Sequence, residues 1–220
     1  MSAITEAGGK LTVHYTSEST QKRIQADRVV NAAGRIANVD ALDLDAGNVA
    51  HDGIAVSVDA YLRSTSNPAV WVAGDALVTS AQLSPLATYE GEIVGKNIVE
   101  GATHKPEYAV IPSCVYTVPA LASVGLSEQE AESQGIDVTA TTSDMTGWFS
   151  GRSYAESVTW SKVLVDKSTD QIVAAHMVGH QGEDLIHLFA MAIKHGITAS
   201  AMKETIFAFP TFASDVKNIM

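Results

Sequence analysis

The sequence predicts an α+β fold in which helices pack on an antiparallel sheet and α/β segments precede that sheet. Two apolar stretches, 158–165 and 172–178, flank a Lys-Ser-Thr-Asp turn and so have the pattern of a β-hairpin. Residues 182–195 then place apolar side chains at helical spacing and stop at Gly196. Further upstream, the apolar residues 70–73 end in a glycine and an acid, and a helical pattern follows them, as in α/β units.

Strands are predicted in the first third of the chain. Residues 10–16 alternate between polar and apolar side chains, which is typical of a half-buried strand. Residues 26–35 include two valines and three alanines and end at a glycine and an arginine, which predicts a more buried strand. Residues 47–63 carry turns and short strands, and residues 70–73 follow as an apolar strand.

A long helix and a second group of strands are predicted next. Apolar residues recur at helical spacing from Ser84 to Glu100, and Pro85 suits the first turn because its missing N–H would be unpaired there. Residues 111–126 indicate two strands. Ser127 and Glu130 then form the Ser-x-x-Glu capping box that opens another helix.

Composition excludes several classes of protein. Of the 220 residues, 46% are hydrophobic and 18% are charged, which argues against a disordered or fibrous chain. The net charge of -11 argues against a nucleic acid or an anionic membrane as a partner. Neither a spanning apolar run nor a basic segment followed by an apolar one is present, so a cytoplasmic protein is expected. The lone Cys114 cannot form an internal redox pair and is expected to be a small core residue.

The stretch from Thr65 to Ala76 carries the clearest functional signal. A polar turn and an apolar strand end there in Gly74 and Asp75, and ligands of open α/β sheets collect beyond such strand ends. The glycine lets backbone approach a cofactor, and the acid accepts hydrogen bonds from sugar hydroxyls. The stretch resembles the second flavin-binding motif of class I pyridine nucleotide-disulfide oxidoreductases, the group that holds glutathione reductase, dihydrolipoamide dehydrogenase and mercuric reductase. The resemblance implies that Asp75 bonds the ribityl and pyrophosphate region of FAD.

The resemblance extends along nearly the whole chain from about Ala26 onward. The segment around Leu83, Ser84 and Pro85 resembles the family segment whose backbone amide meets the pyrimidine oxygen of the flavin ring. The resemblance implies three parts: residues 1–38 end the NAD(P)-binding domain, 39–107 are the C-terminal part of the FAD-binding domain, and 108–220 form the interface domain. It also implies FAD as cofactor of the parent protein, NAD(P)H as its co-substrate, and a homodimer formed through residues 108–220.

The chain lacks motifs that a complete family member carries. It contains no Gly-x-Gly-x-x-Gly fingerprint and no cysteine pair, so it resembles the C-terminal half of a longer reductase and is expected to bind FAD weakly or not at all when alone. In the family, a C-terminal His-Pro-Thr segment presents a histidine to the other subunit, and a glutamate orients it. Here Phe209 occupies the histidine position and Ser214 the glutamate position, so no catalytic residue is assigned.

A structural interpretation of the C-terminal segment is favoured. Thr211 caps a last helix, Phe209 and Phe212 pack at the interface, and Asp215 complements the helix dipole. The histidines at 176 and 180 are expected on a strand and the following turn, where no further ligands complete a metal site. The aromatic residues near Gly147 and Gly151 either line a pocket or pack a core; these aromatic residues are Trp148, Phe149 and Tyr154.

Two functional hypotheses follow. In the first, the chain is the C-terminal part of an FAD-dependent NAD(P)H oxidoreductase whose electron acceptor is a quinone, oxygen, a metal ion or another non-disulfide acceptor. In the second, it is a non-enzymatic dimerisation module with no bound ligand. A flavin titration and a measurement of mass in solution separate the two hypotheses.

Overall fold

The computed structural model describes residues 1–53, 55–77 and 81–220, so Ile54 of the predicted short strands lies outside the described residues. The chain divides into two compact units. Unit 1 comprises Met1–Asp59 and Arg63–Ser80, and unit 2 comprises Ala60–Leu62 and Ala81–Met220. The three-domain division inferred from the family resemblance stays a prediction.

A three-stranded antiparallel sheet dominates the start of unit 1. Its strands are β1 (Ala3–Ala7), β2 (Lys10–Ser17) and β3 (Thr20–Ala26), in the order β1-β2-β3. Two tight turns make this meander, and all four turn residues have positive φ: Gly8, Gly9, Glu18 and Ser19. Such turns match the twist of the paired strands. The predicted strand at 10–16 is therefore confirmed as β2.

Two other strand predictions in unit 1 are wrong. The chain is in β3 only up to Ala26, and residues 27–38 have no regular structure. Residues 70–73 form a single bridge, between Trp71 and Arg63, in place of a strand. A buried strand requires hydrogen-bonding neighbours on both sides, and within the described part of unit 1 neither segment has them. Two short 3-10 helices, Asp40–Leu42 and Gly74–Ala76, complete the unit.

Unit 2 is built on a five-stranded antiparallel sheet of order β4-β5-β8-β7-β6. The predicted pair in 111–126 is confirmed, and β7 and β8 form the predicted hairpin. The bounds are β4 Ser113–Val115, β5 Leu121–Gly125, β6 Val138–Asp144, β7 Trp160–Asp166 and β8 Ile172–Val178. The fold class predicted from the sequence, an antiparallel sheet with helices on it, is confirmed.

Five helices accompany this sheet: α1 Ser84–Glu100, α2 Glu128–Ser133, α3 Phe149–Ser153, α4 Gly182–His195 and α5 Ala199–Glu204. The predicted bounds of α1 and α4 agree with the structure. Glu130 and Ser127 bond each other's backbone N–H as the capping box requires. Gly196 ends α4 in the left-handed conformation, as expected for a C-terminal glycine.

The core of unit 2 lies between α4 and one face of the sheet. Ile186 and Phe189 of α4 are fully buried against Val124, Ala175 and Met177 of β5 and β8. The C-terminal 3-10 helix, Phe212–Asn218, contributes to the same core through Val216 and Phe212. The Thr211 side chain accepts a hydrogen bond from the Ser214 backbone N–H, which confirms the predicted cap.

A fully bonded asparagine fixes the end of α1. Asn97 is almost completely buried, and its amide donates to the carbonyl oxygens of Tyr61 and His104 at 3.0 and 2.8 Å. Its Oδ1 accepts from the backbone N–H groups of Thr103 and His104. Because all four hydrogen bonds go to backbone, this side chain fixes the loop that follows α1.

Candidate functional site

The predicted flavin-binding pair lies in unit 1 and is accessible. Gly74 adopts a φ of 69°, which an L side chain disfavours, and Asp75 follows in the first turn of the short 3-10 helix. The Asp75 carboxylate lies 2.9 Å from the Arg35 guanidinium, and 44% of its side chain is exposed. The carboxylate is therefore presented to solvent beside a cation, and not packed among apolar side chains.

The chemistry of this pair fits one end of a flavin dinucleotide. An ionised carboxylate only accepts hydrogen bonds, which suits the hydroxyls of a ribityl chain. The positive φ of residue 74 strains any L side chain, so glycine suits this backbone position. The pyrophosphate end has no matching cradle in this chain, because the sequence contains no Gly-x-Gly-x-x-Gly.

The other predicted flavin contacts lie at the start of α1 in unit 2. Leu83 takes an extended conformation as the N-cap residue and has no side-chain acceptor, so it leaves the first N–H groups of the helix without a side-chain cap. Ser84 and Pro85 are exposed in the first turn. Leu83 and Pro85 also line a cleft of about 250 Å³ between α1 and α4, with Tyr89, Ile111, His187 and Lys194 among the other lining residues.

Phe209, at the family's histidine position, lies on the surface of the C-terminal segment. Its side chain is 73% exposed and contacts the Phe149 ring at a centroid distance of 5.7 Å. A phenyl ring carries no titratable proton, so the segment cannot exchange protons at this position. Ser214, at the family's glutamate position, uses its hydroxyl to donate to the Thr211 carbonyl oxygen.

A histidine and an aspartate that are distant in sequence meet behind this segment. His180 follows β8, is completely buried, and lies 2.9 Å from Asp215 through its Nε2 atom. The hydroxyl of Ser150 in α3 donates to the same Asp215 oxygen. The Glu156 carboxylate accepts from the His180 backbone N–H at 2.8 Å. Three separate segments are thus held together by one polar cluster.

Burial favours the neutral form of the His180 ring. Desolvation lowers the pKa of His180, and the neighbouring Asp215 and Glu156 oppose that effect without cancelling it. In the neutral ring, Nε2–H donates to Asp215, and Nδ1 has no hydrogen-bond partner among the described residues. The aromatic edges of Trp148 and Phe212 surround the ring instead.

Sequence reasoning missed this cluster. The hypothesis placed Asp215 at a helix dipole and His180 on a turn, and both placements are correct, but 35 residues separate them and no periodic pattern joins them. The one available signal was the Gly-His-Gln-Gly stretch after β8, since His180 adopts a φ of 59° between two glycines. Histidine is among the residues enriched in that conformation.

A second histidine lies in a polar row across the sheet. His176 Nδ1 is 2.7 Å from the Ser123 hydroxyl, and its Nε2 is 3.2 Å from the Leu126 carbonyl oxygen. In the neutral ring Nε2–H donates to that carbonyl, so Nδ1 accepts from serine. Lys162 is the neighbour of His176 on the other side and pairs with Glu128. The row ties the sheet to the start of α2.

Cys114 behaves as the sequence predicts. It is partly buried against the core of unit 2. Burial raises the pKa of its thiol, and the carboxylates of Glu183 and Asp184 add to that effect. A thiol with a raised pKa is a poor nucleophile near neutral pH. Across residues 1–53, 55–77 and 81–220, no group of three or more metal-ligating side chains comes together.

The fold defines a class of protein: an antiparallel-sheet interface domain of the reductase type, preceded by a smaller unit that carries Gly74 and Asp75. The family model for the dimerisation domain of pyridine nucleotide-disulphide oxidoreductases matches residues 111–220. The model for the pyridine nucleotide-disulphide oxidoreductase domain matches residues 1–91. The chain belongs to the pyridine nucleotide-disulphide oxidoreductase family.

Individual relatives agree with that assignment. The chain is 41% identical over 180 residues to an uncharacterized 19.7 kDa protein in the mercuric resistance operon of Staphylococcus aureus, covering 81% of this chain and 100% of that protein. It is 31% identical to the chloroplastic/mitochondrial glutathione reductase of Pisum sativum, covering 97% of this chain and 38% of that enzyme. The chain therefore spans about two fifths of that reductase.

Solved structures show the same fold. The HOCl-induced flavoprotein disulfide reductase RclA from Escherichia coli superimposes with a TM-score of 0.84 at 22% identity, covering 98% of this chain and 49% of that one. Among the described residues, none of the helices has the length and apolar character needed to cross a bilayer.

Proposed function

We propose that this chain contributes part of the flavin site and the dimer interface of an FAD-dependent oxidoreductase that uses NAD(P)H. The observation that carries the proposal is the exposed Asp75 carboxylate beside the positive-φ Gly74. Membership of the family supports it, since the two family models together match residues 1–91 and 111–220. Bound FAD would supply hydride acceptance and electron transfer, which no side chain of this protein can supply.

In this proposal the residues of the chain bind and orient the flavin. Asp75 would accept hydrogen bonds from the ribityl hydroxyls of FAD, and the Arg35 guanidinium lies 2.9 Å from its carboxylate. Leu83, Ser84 and Pro85 would hold the flavin ring, because the N–H groups at this helix start have no side-chain cap and would suit an acceptor atom of the flavin.

Phe209 restricts the chemistry that such an oxidoreductase performs. Reduction of a disulfide requires a proton donor at the leaving thiolate, and the phenyl ring provides none. The buried His180 does not replace it, because its ring is shielded from solvent on all sides. We therefore propose a quinone, oxygen, a metal ion or another non-disulfide compound as the electron acceptor.

A comparison of two flavins tests the role of Asp75. Riboflavin carries the ribityl chain and lumiflavin does not, so a carboxylate that bonds the ribityl hydroxyls prefers riboflavin. A fixed small amount of each flavin is titrated with excess protein, and binding is followed by fluorescence anisotropy. We expect weak binding overall, with riboflavin preferred by about tenfold, and no preference in Asp75→Ala, which removes the acceptor. Equal binding of both flavins to the wild-type chain would rule out the assignment of Asp75.

A second candidate function is a dimerisation module without a ligand. The Asp75–Arg35 ion pair favours it, because the pair already gives the carboxylate a partner without any cofactor. In both candidates the chain forms a homodimer through residues 108–220. Light scattering measures the mass in solution. A dimer that shows no riboflavin preference would favour the module, and a monomer at all concentrations would contradict both candidates.

A further inference from the structure

An arginine lies beside the proposed ribityl acceptor of unit 1. The Arg35 guanidinium is 2.9 Å from the Asp75 carboxylate, and 60% of the Arg35 side chain and 44% of the Asp75 side chain are exposed. Both residues belong to unit 1 and lie outside residues 108–220, through which the proposed homodimer forms. A hydrogen-bond donor and an acceptor of opposite charge are therefore presented to solvent side by side.

The backbone next to this arginine is open. Gly34 precedes Arg35 with a φ of 94°, and a Cβ atom built on Gly34 would meet no heavy atom within 4 Å. Residues 27–38 form neither a helix nor a strand, so this backbone is not enclosed in a sheet. A ligand group can therefore approach Arg35 along the Gly34 side.

The two charges match the two parts of a ribityl phosphate. An ionised carboxylate such as Asp75 only accepts hydrogen bonds, and the ribityl hydroxyls can donate them. A guanidinium presents a planar fork of donors that pairs with phosphate oxygens. In flavin mononucleotide (FMN), the phosphate is attached to the last ribityl carbon, next to the carbons that carry the hydroxyls. A flavin whose hydroxyls lie on Asp75 therefore has its phosphate close to Arg35.

The adenosine half of FAD has no comparable partner in this chain. A tight pyrophosphate cradle needs backbone that is free of side chains, and the sequence contains no Gly-x-Gly-x-x-Gly. For these residues, the recognised part of a flavin ends at the phosphate on the ribityl chain.

We propose that the Arg35–Asp75 pair selects flavins that carry a phosphate on the ribityl chain, and that this chain binds FMN as tightly as FAD. Asp75 holds the ribityl hydroxyls, and Arg35 pairs with the phosphate. Because Asp75 must first hold the ribityl chain, this inference rests on the proposed function. The pair is exposed and Asp75 already offsets part of the Arg35 charge, so the gain from the phosphate is modest.

Equilibrium dialysis of the full chain against lumiflavin, riboflavin, FMN and FAD tests the proposal, with each flavin measured by its absorbance. We expect FMN to bind about fivefold more tightly than riboflavin, as for an exposed charge pair, and FAD to bind within about twofold of FMN.

Variants of the arginine assign the effect to one side chain. Arg35→Gln is expected to lose the preference for FMN over riboflavin and to keep the preference for riboflavin over lumiflavin. Arg35→Lys keeps the charge without the planar fork and is expected to keep a smaller preference for FMN. Arg28→Gln removes another exposed arginine of unit 1 and is the matched control, with FMN binding unchanged.

Three results would overturn the proposal and leave the ribityl assignment of Asp75 intact. They are equal binding of FMN and riboflavin, FAD binding more than about tenfold tighter than FMN, and an equal loss of FMN binding in Arg28→Gln and Arg35→Gln. An absence of saturable binding, or equal binding of riboflavin and lumiflavin, would instead refute the proposed flavin site and this inference with it. Circular dichroism checks that the variants are folded.

Discussion

Removal of the Asp215 carboxylate is expected to destabilise unit 2 strongly. The carboxylate accepts from His180 Nε2 at 2.9 Å and from the Ser150 hydroxyl, and only 16% of its side chain is exposed. In Asp215→Ala, a completely buried imidazole N–H and a buried hydroxyl both lose their acceptor. Each unsatisfied buried group costs about 1–3 kcal/mol, so the loss of both acceptor contacts is expected to lower the unfolding free energy by roughly 2–6 kcal/mol. That loss is a large part of the ~5–15 kcal/mol that holds a typical domain folded.

Urea unfolding followed by tryptophan fluorescence measures this loss. A Trp71→Phe background removes the tryptophan of unit 1, so the signal comes from Trp148 and Trp160 of unit 2. Asp144 provides the matched control, because it is an exposed aspartate that accepts from the Thr146 backbone N–H. Asp144→Ala is expected to cost less than about 1 kcal/mol.

A double-mutant cycle isolates the histidine–aspartate interaction. His180→Asn is the partner variant, because asparagine tolerates the positive φ of this position. We expect a coupling energy of about 1.5–3 kcal/mol, as for a buried hydrogen bond to a charged group. A loss below about 1 kcal/mol in Asp215→Ala, or a coupling energy near zero, would refute the view that this pair fixes the C-terminal segment.

Three further predictions concern unit 2. Because burial lowers the pKa of His180, the folded state binds a proton at this ring less readily than the unfolded state does. The contribution of His180 to the unfolding free energy is therefore full above about pH 6.5. It falls by at most ~1.4 kcal/mol per pH unit as the pH drops towards the pKa of the folded state. His180→Asn should remove that part of the pH dependence, and an unchanged profile would contradict it. Gly125→Ala places a Cβ 2.1 Å from a carbonyl oxygen at a φ of 82° and should lower the unfolding free energy by at least about 3 kcal/mol. Gly91→Ala in α1 is the control: its Cβ meets no atom within 4 Å, and it should stabilise the protein by about 0.5–1 kcal/mol. Equal effects of the two variants would refute the steric argument. Asn97→Ala should cost roughly 3–5 kcal/mol in the same urea assay, because four backbone groups lose their partner, and a cost below about 1 kcal/mol would show that water replaces the side chain.

Helices and hairpins of unit 2 were predictable because their signals are local. α4 shows a continuous apolar stripe and a glycine stop, and β8 is an apolar run bounded by turns. The predicted strand at 26–35 failed for the opposite reason. Its valines and alanines are typical of a buried strand. A strand forms only when neighbouring strands pair with its backbone N–H and C=O groups, and the composition of one segment does not show whether such strands are present.

The candidate site residues and the buried polar pair divide in the same way. Gly74 and Asp75 are adjacent, and a motif identifies them, while the structure adds Arg35 as the partner of the carboxylate. The His180–Asp215 pair depends on a contact between the end of β8 and the C-terminal segment, so only the folded chain reveals it.

The C-terminal segment separates two roles that one sequence motif suggests together. Proton transfer needs a titratable ring at residue 209, and phenylalanine removes it. The shape of the segment depends on different groups, namely the Thr211 cap, the Phe212 ring in the core, and the bond from Asp215 to His180. Loss of proton transfer therefore does not entail loss of the shape of the segment. Replacing Phe209 with histidine is expected to leave the unfolding free energy within about 0.5 kcal/mol, because the exposed ring contributes little to packing. A large loss in Phe209→His would mean that the Phe149 contact supports the segment, and the two roles would then not be separable.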